Sequence, residues 1–366
     1  MPNQKTGPID CWLSALQRDT DVAGLSVCIR GNEGVIFNKA YGVHDKISGA
    51  PLKKDAIFPV ASQTKTFTAV ALLKLVLNSK ISLEDKLVTH LPQFSHPLLD
   101  QVTLRDALSH QTRFVPGFSG EDDAASFSTP LLGDDDGASL STDELRALEI
   151  TTAKFSEKNE YSNDMYSLLG LIIEDVSGMP YREYVRKEVI EKHNLGEIYT
   201  GLDDVPKTQR TRIPVGYSHG EEAPFYDFGG EMPCGGFLAT PEAITNFYHA
   251  LFSGQILPPA TVKLMTTAIN DTYGLGVFSM PCKTGAVIGH SGSLAGQVCV
   301  TAHDARHGLT VAVTRTSNDF DEDSSEEHRK KDQISDPERI LCKVFETLLE
   351  GSARTGRGPA KKQGCR

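Results

Sequence analysis

Strand-type segments occur near both ends of the 366-residue chain, and the stretch between them has a helical pattern. Short apolar runs bounded by glycine, asparagine or aspartate, which are typical of strands, lie at 25–29, 34–37, 274–278, 296–302 and 309–314. Strands must pair to satisfy their backbone polar groups. The order therefore predicts a sheet assembled from both ends of the chain around a helical insertion.

Ser62 precedes Lys65 by three residues, at the start of an apolar segment that predicts a helix over 66–77. Residues at this spacing share one face of a helix. The partial positive charge of a helix N-terminus favours a developing oxyanion and a neutral amine, and such an amine can take the serine proton. The spacing alone also fits a helix-capping serine followed by a solvated lysine. Partner motifs elsewhere in the chain decide between these interpretations.

Two partner motifs follow in order. Tyr161-Ser162-Asn163 precedes an apolar helical segment, and a stretch beginning at His290 precedes an apolar strand. With Ser62 and Lys65, they resemble the serine β-lactamase, D-Ala-D-Ala carboxypeptidase and family VIII esterase superfamily. The resemblance is closest to the class C-like branch, which has Tyr in the second motif. Framing segments similar to those of the family lie at 22–42, 81–92, 102–112 and 234–241, so the resemblance spans most of the chain.

The resemblance implies an α+β, β-lactamase/transpeptidase-like fold, with an antiparallel sheet flanked by helices and an inserted all-helical subdomain. The sheet subdomain is predicted to comprise 1–92 and 200–350, and the helical subdomain 93–199. The active site then lies in the cleft between them. The Gly-rich, basic segment 351–366 is predicted to be a disordered tail. The acidic segment 120–137 is predicted to be a solvated insertion, with a lid at the cleft mouth as the alternative.

The resemblance also implies catalytic roles. Ser62 is the nucleophile, and Lys65 and Tyr161 are the candidate general bases; Tyr161 would later act as an acid toward the leaving group. Which of the two is the base stays open, because interacting groups titrate as a pair. Asn163 offers an amide that can hold Lys65 and a substrate carbonyl.

The third motif is His290-Ser291-Gly292-Ser293. By the resemblance, His290 belongs to the catalytic set, and Ser291, Gly292 and Ser293 bind substrate. The backbone N–H groups of Ser62 and Ser293 are predicted to form the oxyanion hole. Gly292 allows substrate to approach the strand edge. The family usually has Lys where this chain has His290, which is only partly charged near neutrality. This departure argues against carboxylate-bearing penicillins and favours an ester, amide or thioester.

Other motifs carry less chemistry. Lys283-Thr284-Gly285 matches the literal lactamase motif, but no long apolar strand follows it directly, so we interpret it as a hairpin turn. His110 matches a framework position and is predicted to be structural. His303 and His307 flank a strand turn without a third ligand, so no metal site is predicted, and no cofactor is expected.

Composition restricts the function classes further. The formal net charge is −11, and no basic stripe precedes the tail, so nucleic acid is excluded as a partner. There is no apolar run of about 18 residues and no signal-like N-terminus, so we expect no membrane association and a cytoplasmic location. The seven cysteines lack a C-x-x-C motif and are expected to be reduced core thiols. The sequence does not give the oligomeric state.

Three functions fit these observations. The first is a serine hydrolase that forms an acyl-enzyme on Ser62 with a small ester or amide, as carboxylesterase-like members of the superfamily do. The second is a transesterase or acyltransferase of a secondary-metabolite pathway, which passes the acyl group to an alcohol or amine. The third is a non-catalytic binding protein with the penicillin-recognising fold.

Overall fold

The computed structural model describes residues 6–20, 22–97, 99–115, 146, 154–155, 158–218, 220–223, 233–270, 272–294, 296–317 and 336–353. The acidic segment 120–137, and with it the choice between insertion and lid, lies outside the described residues. So does most of the predicted tail. The last helix continues to Ala353, so the predicted start of the tail at 351 is wrong by three residues.

A six-stranded antiparallel sheet forms the centre of the fold, in the order β10-β11-β12-β13-β1-β2. Its strands are β1 Gly24–Gly31, β2 Gly34–Gly42, β10 Phe278–Met280, β11 Val287–Leu294, β12 Gln297–Asp304 and β13 Leu309–Arg315. The first and last of the long strands are neighbours, with Leu25 opposite Arg315. The predicted sheet built from both chain ends is therefore confirmed. The predicted strand at 274–278 is wrong over most of its length, since β10 begins only at Phe278.

Short strands connect the sheet to the rest of the fold. They form three small groups: β3 Phe58–Pro59 with β9 Leu238–Ala239 and β6 Ile198–Tyr199, β4 Phe114–Val115 with β5 Lys154–Phe155, and β7 Tyr217–Ser218 with β8 Glu221–Glu222. The first group matters most for the site, because β3 leads directly into the turn that carries Ser62.

The described helices are α1 Thr6–Asp19, α2 Thr64–Leu77, α3 Leu87–His90, α4 Leu104–Leu108, α5 Asn163–Ser177, α6 Tyr181–Val185, α7 Pro241–Phe252, α8 Pro259–Thr266 and α9 Pro337–Ala353. Their ends follow from local chemistry. Thr240 caps α7 by accepting from the Ala243 N–H, and α5 ends at Gly178 in the left-handed conformation. The sequence analysis missed α1, although Ile9, Leu13 and Leu16 lie on one face of it and are buried.

The sheet is covered on both faces. One face packs against α1 and α9, whose apolar side chains form a core with those of β1, β12 and β13. The opposite face packs against α7. Behind α7, Phe67 of α2 stacks on Phe247 with ring centroids 3.6 Å apart. Helices α2, α5 and α7 thus share one core. The division into subdomains at 92/93 and 199/200 stays a prediction.

The cysteines differ from the expectation. Cys282, in the turn after β10, is disulfide-bonded to Cys342 of α9, with Cα atoms 5.3 Å apart, within the range that a disulfide bridges. Cys11 is also disulfide-bonded, whereas Cys28, Cys234 and Cys299 are free and buried. The prediction that all the thiols are reduced is therefore wrong, and it no longer supports a reducing compartment. None of the helices in the described part of the chain is long and apolar enough to cross a membrane.

Candidate active site

Ser62 lies on a tight turn between β3 and α2. The turn is a single 3₁₀ segment, Ala61–Gln63, closed by a hydrogen bond from the Gln63 N–H to the Val60 carbonyl. Ala61 has φ +47°, a left-handed conformation that is uncommon for a residue with a Cβ. Such strain is concentrated at functional sites. The turn buries Ala61 and Gln63 and leaves Ser62 partly exposed at the N-terminal end of α2.

Lys65 is fully buried and links three elements. Its Nζ donates to Ser62 Oγ at 3.2 Å, to Asn163 Oδ1 at 2.6 Å and to the Cys234 carbonyl at 2.9 Å. Three acceptors match the three hydrogens of an ammonium group. The sequence predicted the contacts with Ser62 and Asn163. It missed Cys234, because a backbone carbonyl leaves no residue-type signal.

Tyr161, which precedes α5, completes this cluster. Its ring centroid lies 4.9 Å from Lys65 Nζ, and the side chain is 38% exposed. The following Ser162 caps α5 by accepting from the Met165 N–H, which fixes the start of that helix. The hydroxyl of Ser62, the amine of Lys65 and the aromatic ring of Tyr161 therefore converge, although almost 100 residues separate the last from the others.

His110 contacts the Tyr161-Ser162-Asn163 motif through both its ring nitrogen and its ring face. Its Nδ1 accepts from the backbone N–H of Ser162 at 3.1 Å, and its ring packs on Tyr161 with centroids 4.1 Å apart. Burial, together with the charge of Lys65, holds the pKa of His110 well below its usual value. The ring is therefore neutral near pH 7. These contacts fit the predicted structural role.

Strand β11 lies directly against the Ser62 turn, and Gly292 makes this possible. A Cβ at Gly292 would stand 2.5 Å from the Val60 carbonyl oxygen and 3.0 Å from the Ser62 nitrogen. Side chains alternate along a strand, so Ser291 and Ser293 point to the other face, which α9 covers. Burial and the charge of Asp336 raise the pKa of Glu338 in α9, whereas a hydrogen bond from the Ser291 side chain lowers it. The Ser291 side chain therefore contacts α9. The structure thus does not bring the Ser291 side chain to Ser62, and Ser293 is exposed on the same face as Ser291.

His290 is buried, and both of its ring nitrogens are engaged. Nδ1 lies 2.6 Å from the Ser291 carbonyl oxygen, which only accepts, so Nδ1 carries the hydrogen. Nε2 lies 3.0 Å from the Tyr273 hydroxyl and accepts from it. Burial, reinforced by Lys65, lowers the pKa of His290 to about 3. The ring is therefore neutral near pH 7 and offers no cation to a substrate carboxylate.

Three aromatic residues near the site were missed by the sequence analysis. Phe278 stacks on the Tyr161 ring at 6.5 Å and packs on His290 at 4.7 Å. Tyr273 meets Phe278 edge-on at 4.5 Å, and Tyr166 donates its hydroxyl hydrogen to the Leu108 carbonyl. No motif marks these residues: Tyr166 and Phe278 are ordinary positions of α5 and β10, and Tyr273 lies in an irregular segment. Tyr166 and Tyr273 are buried, whereas Phe278 is partly exposed, so Phe278 and the exposed ring of Tyr161 form an aromatic wall beside Lys65.

The remaining motif residues lie away from Ser62. Lys283-Thr284-Gly285 occupies the turn between β10 and β11, as interpreted from the sequence, and the Lys283 side chain is 86% exposed near Glu346 of α9. Within the described part of the chain, His, Cys, Asp and Glu side chains form no group of three that could hold a metal ion.

Comparison with known proteins identifies the family of this chain. The sequence profile of the Beta-lactamase family matches residues 9–333. The chain belongs to the beta-lactamase family. Its fold is the α+β, β-lactamase/transpeptidase-like fold that the sequence predicts.

Two relatives of this beta-lactamase-family protein align with different shares of its chain. "Protein flp" of Staphylococcus aureus (strain COL) is 32% identical over 193 residues, which are 50% of this chain and 36% of that protein. This chain therefore spans only about a third of the length of flp. A putative D-alanyl-D-alanine carboxypeptidase of Escherichia coli (strain K12) is 26% identical over 322 residues, 75% of this chain and 71% of that protein.

Solved structures of the same fold have lower sequence identity. D-amino acid amidase from Ochrobactrum anthropi SV3, in complex with D-phenylalanine, has a TM-score of 0.76 at 22% identity and covers 96% of this chain and 100% of its own. An octameric penicillin-binding protein homologue from Pyrococcus abyssi has a TM-score of 0.72 at 23% identity and covers 94% of this chain and 77% of its own. At these identities the likeness supports the fold alone.

Proposed function

We propose that this beta-lactamase-family protein is a serine hydrolase that forms an acyl-enzyme on Ser62 with an ester or amide substrate. The observation that carries the proposal is the cluster around Lys65. Its Nζ hydrogen-bonds both Ser62 Oγ and Asn163 Oδ1, and it lies 4.9 Å from the ring centroid of Tyr161. A nucleophile, an amine, an amide and a phenol at one cleft are the parts that acyl transfer requires.

The proposed acylation follows from these contacts. Ser62 Oγ attacks the substrate carbonyl carbon while its proton passes to the free amine of Lys65 or to the phenolate of Tyr161. The backbone N–H groups of Ser62 and Ser293 stabilise the oxyanion. The carbon–leaving-group bond then breaks, and the leaving group takes the proton back from the same group. Attack by water on the acyl-enzyme, with the same proton relay, releases the acid and restores Ser62.

The substrate class follows from His290 and the aromatic wall. The neutral His290 side chain is bound by Ser291 and Tyr273, so we assign it a positioning role at the strand edge instead of the predicted catalytic role. The acyl portion of the substrate then needs no carboxylate. Phe278 and the exposed ring of Tyr161 favour an apolar or aromatic acyl group. The Ser291 side chain is left outside the substrate contacts, because it faces α9.

The test is covalent labelling of the nucleophile. Folded protein is treated with a fluorophosphonate, and its intact mass is recorded beside that of a Ser62→Ala variant. We expect one adduct per chain in the first protein and none in the variant. If the folded wild-type protein gains no mass at Ser62, the hydrolase proposal fails, and a binding protein of this fold remains.

A substrate panel then separates the finer possibilities. It comprises p-nitrophenyl esters of increasing chain length, D- and L-phenylalanine amide, and nitrocefin. The amides are included because D-amino acid amidase shares the fold. We expect turnover of short or aromatic esters or amides and little cleavage of nitrocefin. Adding alcohols to one ester substrate tests acyl transfer, because a transferase forms the new ester faster than the free acid.

A further inference from the structure

Asp164 is a buried acid beside the proposed site that the mechanism above does not use. It directly follows Asn163 in the first turn of α5, and its side chain is 2% exposed. Neither carboxylate oxygen has a hydrogen-bond partner among the described residues. A buried carboxyl group is normally paired, because an isolated buried charge is costly. Asp164 therefore needs an explanation beyond ordinary packing.

The groups that face Asp164 come from two neighbouring elements. From α2, the charge of Lys65 acts on the carboxyl group. From the segment before β9, the Cys234 thiol is close enough to interact with it. Along the chain, Asn163 in the same helix directly precedes Asp164, and Tyr161 lies just before the helix. Burial raises the pKa of Asp164 to about 7, against the opposing effect of Lys65.

Lys65 has a corresponding need for a counter-charge. Its three hydrogen-bond acceptors are a hydroxyl, an amide oxygen and a carbonyl, all of them neutral. The nearby His110 and His290 rings are also neutral, since burial lowers the pKa of each. A buried ammonium and a buried carboxylate stabilise one another, whereas either charge alone is unfavourable. The protonation states of Lys65 and Asp164 are therefore linked.

We propose that Asp164 is a positioning residue that supplies the buried counter-charge of the Lys65 ammonium. The effect of this counter-charge on catalysis rests on the proposed hydrolase function of Ser62. When Asp164 is ionised, Lys65 is held as the ammonium that donates to Ser62 and Asn163, and the Ser62 proton passes from Oγ to the phenolate of Tyr161. Without the carboxylate, the ammonium lacks this counter-charge, and the free amine of Lys65 can take the Ser62 proton.

A purely structural role is the alternative. An acidic residue in the first turn of a helix interacts favourably with the helix dipole whatever lies nearby. In that case, replacing Asp164 changes stability and leaves the pH dependence of Ser62 reactivity as it was. The two roles therefore differ in a pH profile.

The first experiment measures the rate of Ser62 labelling by a fluorophosphonate from pH 5 to pH 10. It compares the wild type, Asp164→Asn and the control Asp175→Asn, which makes the same change at the exposed far end of the same helix, where Asp175 pairs with Arg146. We expect the pH at which the labelling rate rises to be about one unit lower in Asp164→Asn than in the wild type, because a nearby opposite charge shifts a pKa by about one to three units. The control should match the wild type. If the labelling rate has the same pH profile in all three proteins, the proposal is overturned.

The second experiment does not depend on catalysis. The carboxyl carbon of Asp164 is followed by NMR in ¹³C-labelled protein, assigned through its own backbone, in the wild type and in Lys65→Met. We expect its titration midpoint to rise by about one unit or more when the ammonium is removed. An unchanged midpoint overturns the proposal, even if Asp164→Asn fails to fold. A shifted midpoint in a protein whose Ser62 never labels would support the coupling and reject the hydrolase function.

Discussion

Replacing Gly292 with alanine adds one methyl group at the contact between β11 and the Ser62 turn. The new Cβ would lie 2.5 Å from the Val60 carbonyl oxygen, 2.9 Å from the Ala61 Cβ and 3.0 Å from the Ser62 nitrogen. Unstrained non-bonded contacts are about 3.5 Å or longer. The strand and the turn must therefore separate by roughly 0.5 to 1 Å. Two of the three atoms belong to backbone, which cannot move aside as a side chain does.

We expect the substitution to lower both stability and activity. Overpacking of this kind costs about 1–3 kcal/mol. The two proposed oxyanion donors, the N–H groups of Ser62 and Ser293, lie on opposite sides of the contact that is widened. A displacement of about 1 Å at a reacting centre costs about 100-fold in rate, and loss of one oxyanion donor costs about 100- to 1000-fold. We expect kcat/KM of Gly292→Ala to fall by about 100-fold.

The assay compares ester hydrolysis and fluorophosphonate labelling in Gly292→Ala, the wild type and the control Gly31→Ala. Gly31 lies in β1 of the same sheet, where the nearest atom to an added Cβ is the flexible end of Ile36 at 2.9 Å. Circular dichroism and thermal unfolding report whether each variant is folded. We expect Gly31→Ala to keep its activity. If Gly292→Ala is folded and as active as the control, β11 does not form part of the reactive centre, and the site assignment fails.

Three further predictions concern other parts of the molecule. Tyr161→Phe should slow Ser62 labelling at least 100-fold while leaving the unfolding temperature near that of the wild type, because the ring that packs on His110 is kept; labelling at the wild-type rate would remove the phenol from the mechanism. Cys282→Ser should lower the free energy of unfolding by about 4 kcal/mol, the loop-closure value for the separation of 60 residues from Cys342; urea unfolding of the variant and the wild type without reductant measures this loss, and reducing the wild type should cost at least as much, because reductant also breaks the disulfide of Cys11. Acid should also destabilise the fold through His303, since burial, reinforced by His249, lowers the pKa of His303 to about 4 from an ordinary value near 6.5. The folded state favours the neutral His303 ring. The contribution of this ring to the free energy of unfolding is therefore complete above pH 6.5 and is lost as the pH falls toward 4, by at most about 3 kcal/mol. If the stability of His303→Gln depended on pH as strongly as that of the wild type, this prediction would be contradicted.

Local patterns and motif order were enough to predict the layout of the fold and the residues that meet at Ser62. The strand segments at both ends define the sheet, and helical spacing in between defines α2 and α5. The contact between Lys65 and Asn163 joins residues 98 positions apart. Spacing within one helix cannot give such a contact, and the resemblance of the ordered motifs supplied it.

Other features depend on tertiary contacts that the sequence does not encode locally. The Cys282–Cys342 pairing requires the turn after β10 to lie on α9, and no spacing rule predicts that packing. The role of His290 depends on Tyr273, which an irregular segment brings to it. Ser291 was assigned by its motif position, whereas strand alternation directs its side chain to the other face of the sheet. The Cys234 carbonyl acts through backbone, which residue identity does not report.

The pairing of β1 with β13 also determines when the sheet can close during synthesis on the ribosome. The β1–β2 hairpin emerges early, but the partner of β1 begins only at Leu309, 278 residues after Gly31. At about 5–20 residues per second, the hairpin waits roughly 15 to 60 s with one long edge uncovered. An uncovered edge strand can pair with other chains and aggregate. Nascent-chain chaperones should therefore bind this hairpin until the last strand arrives, and release should coincide with closure of the sheet.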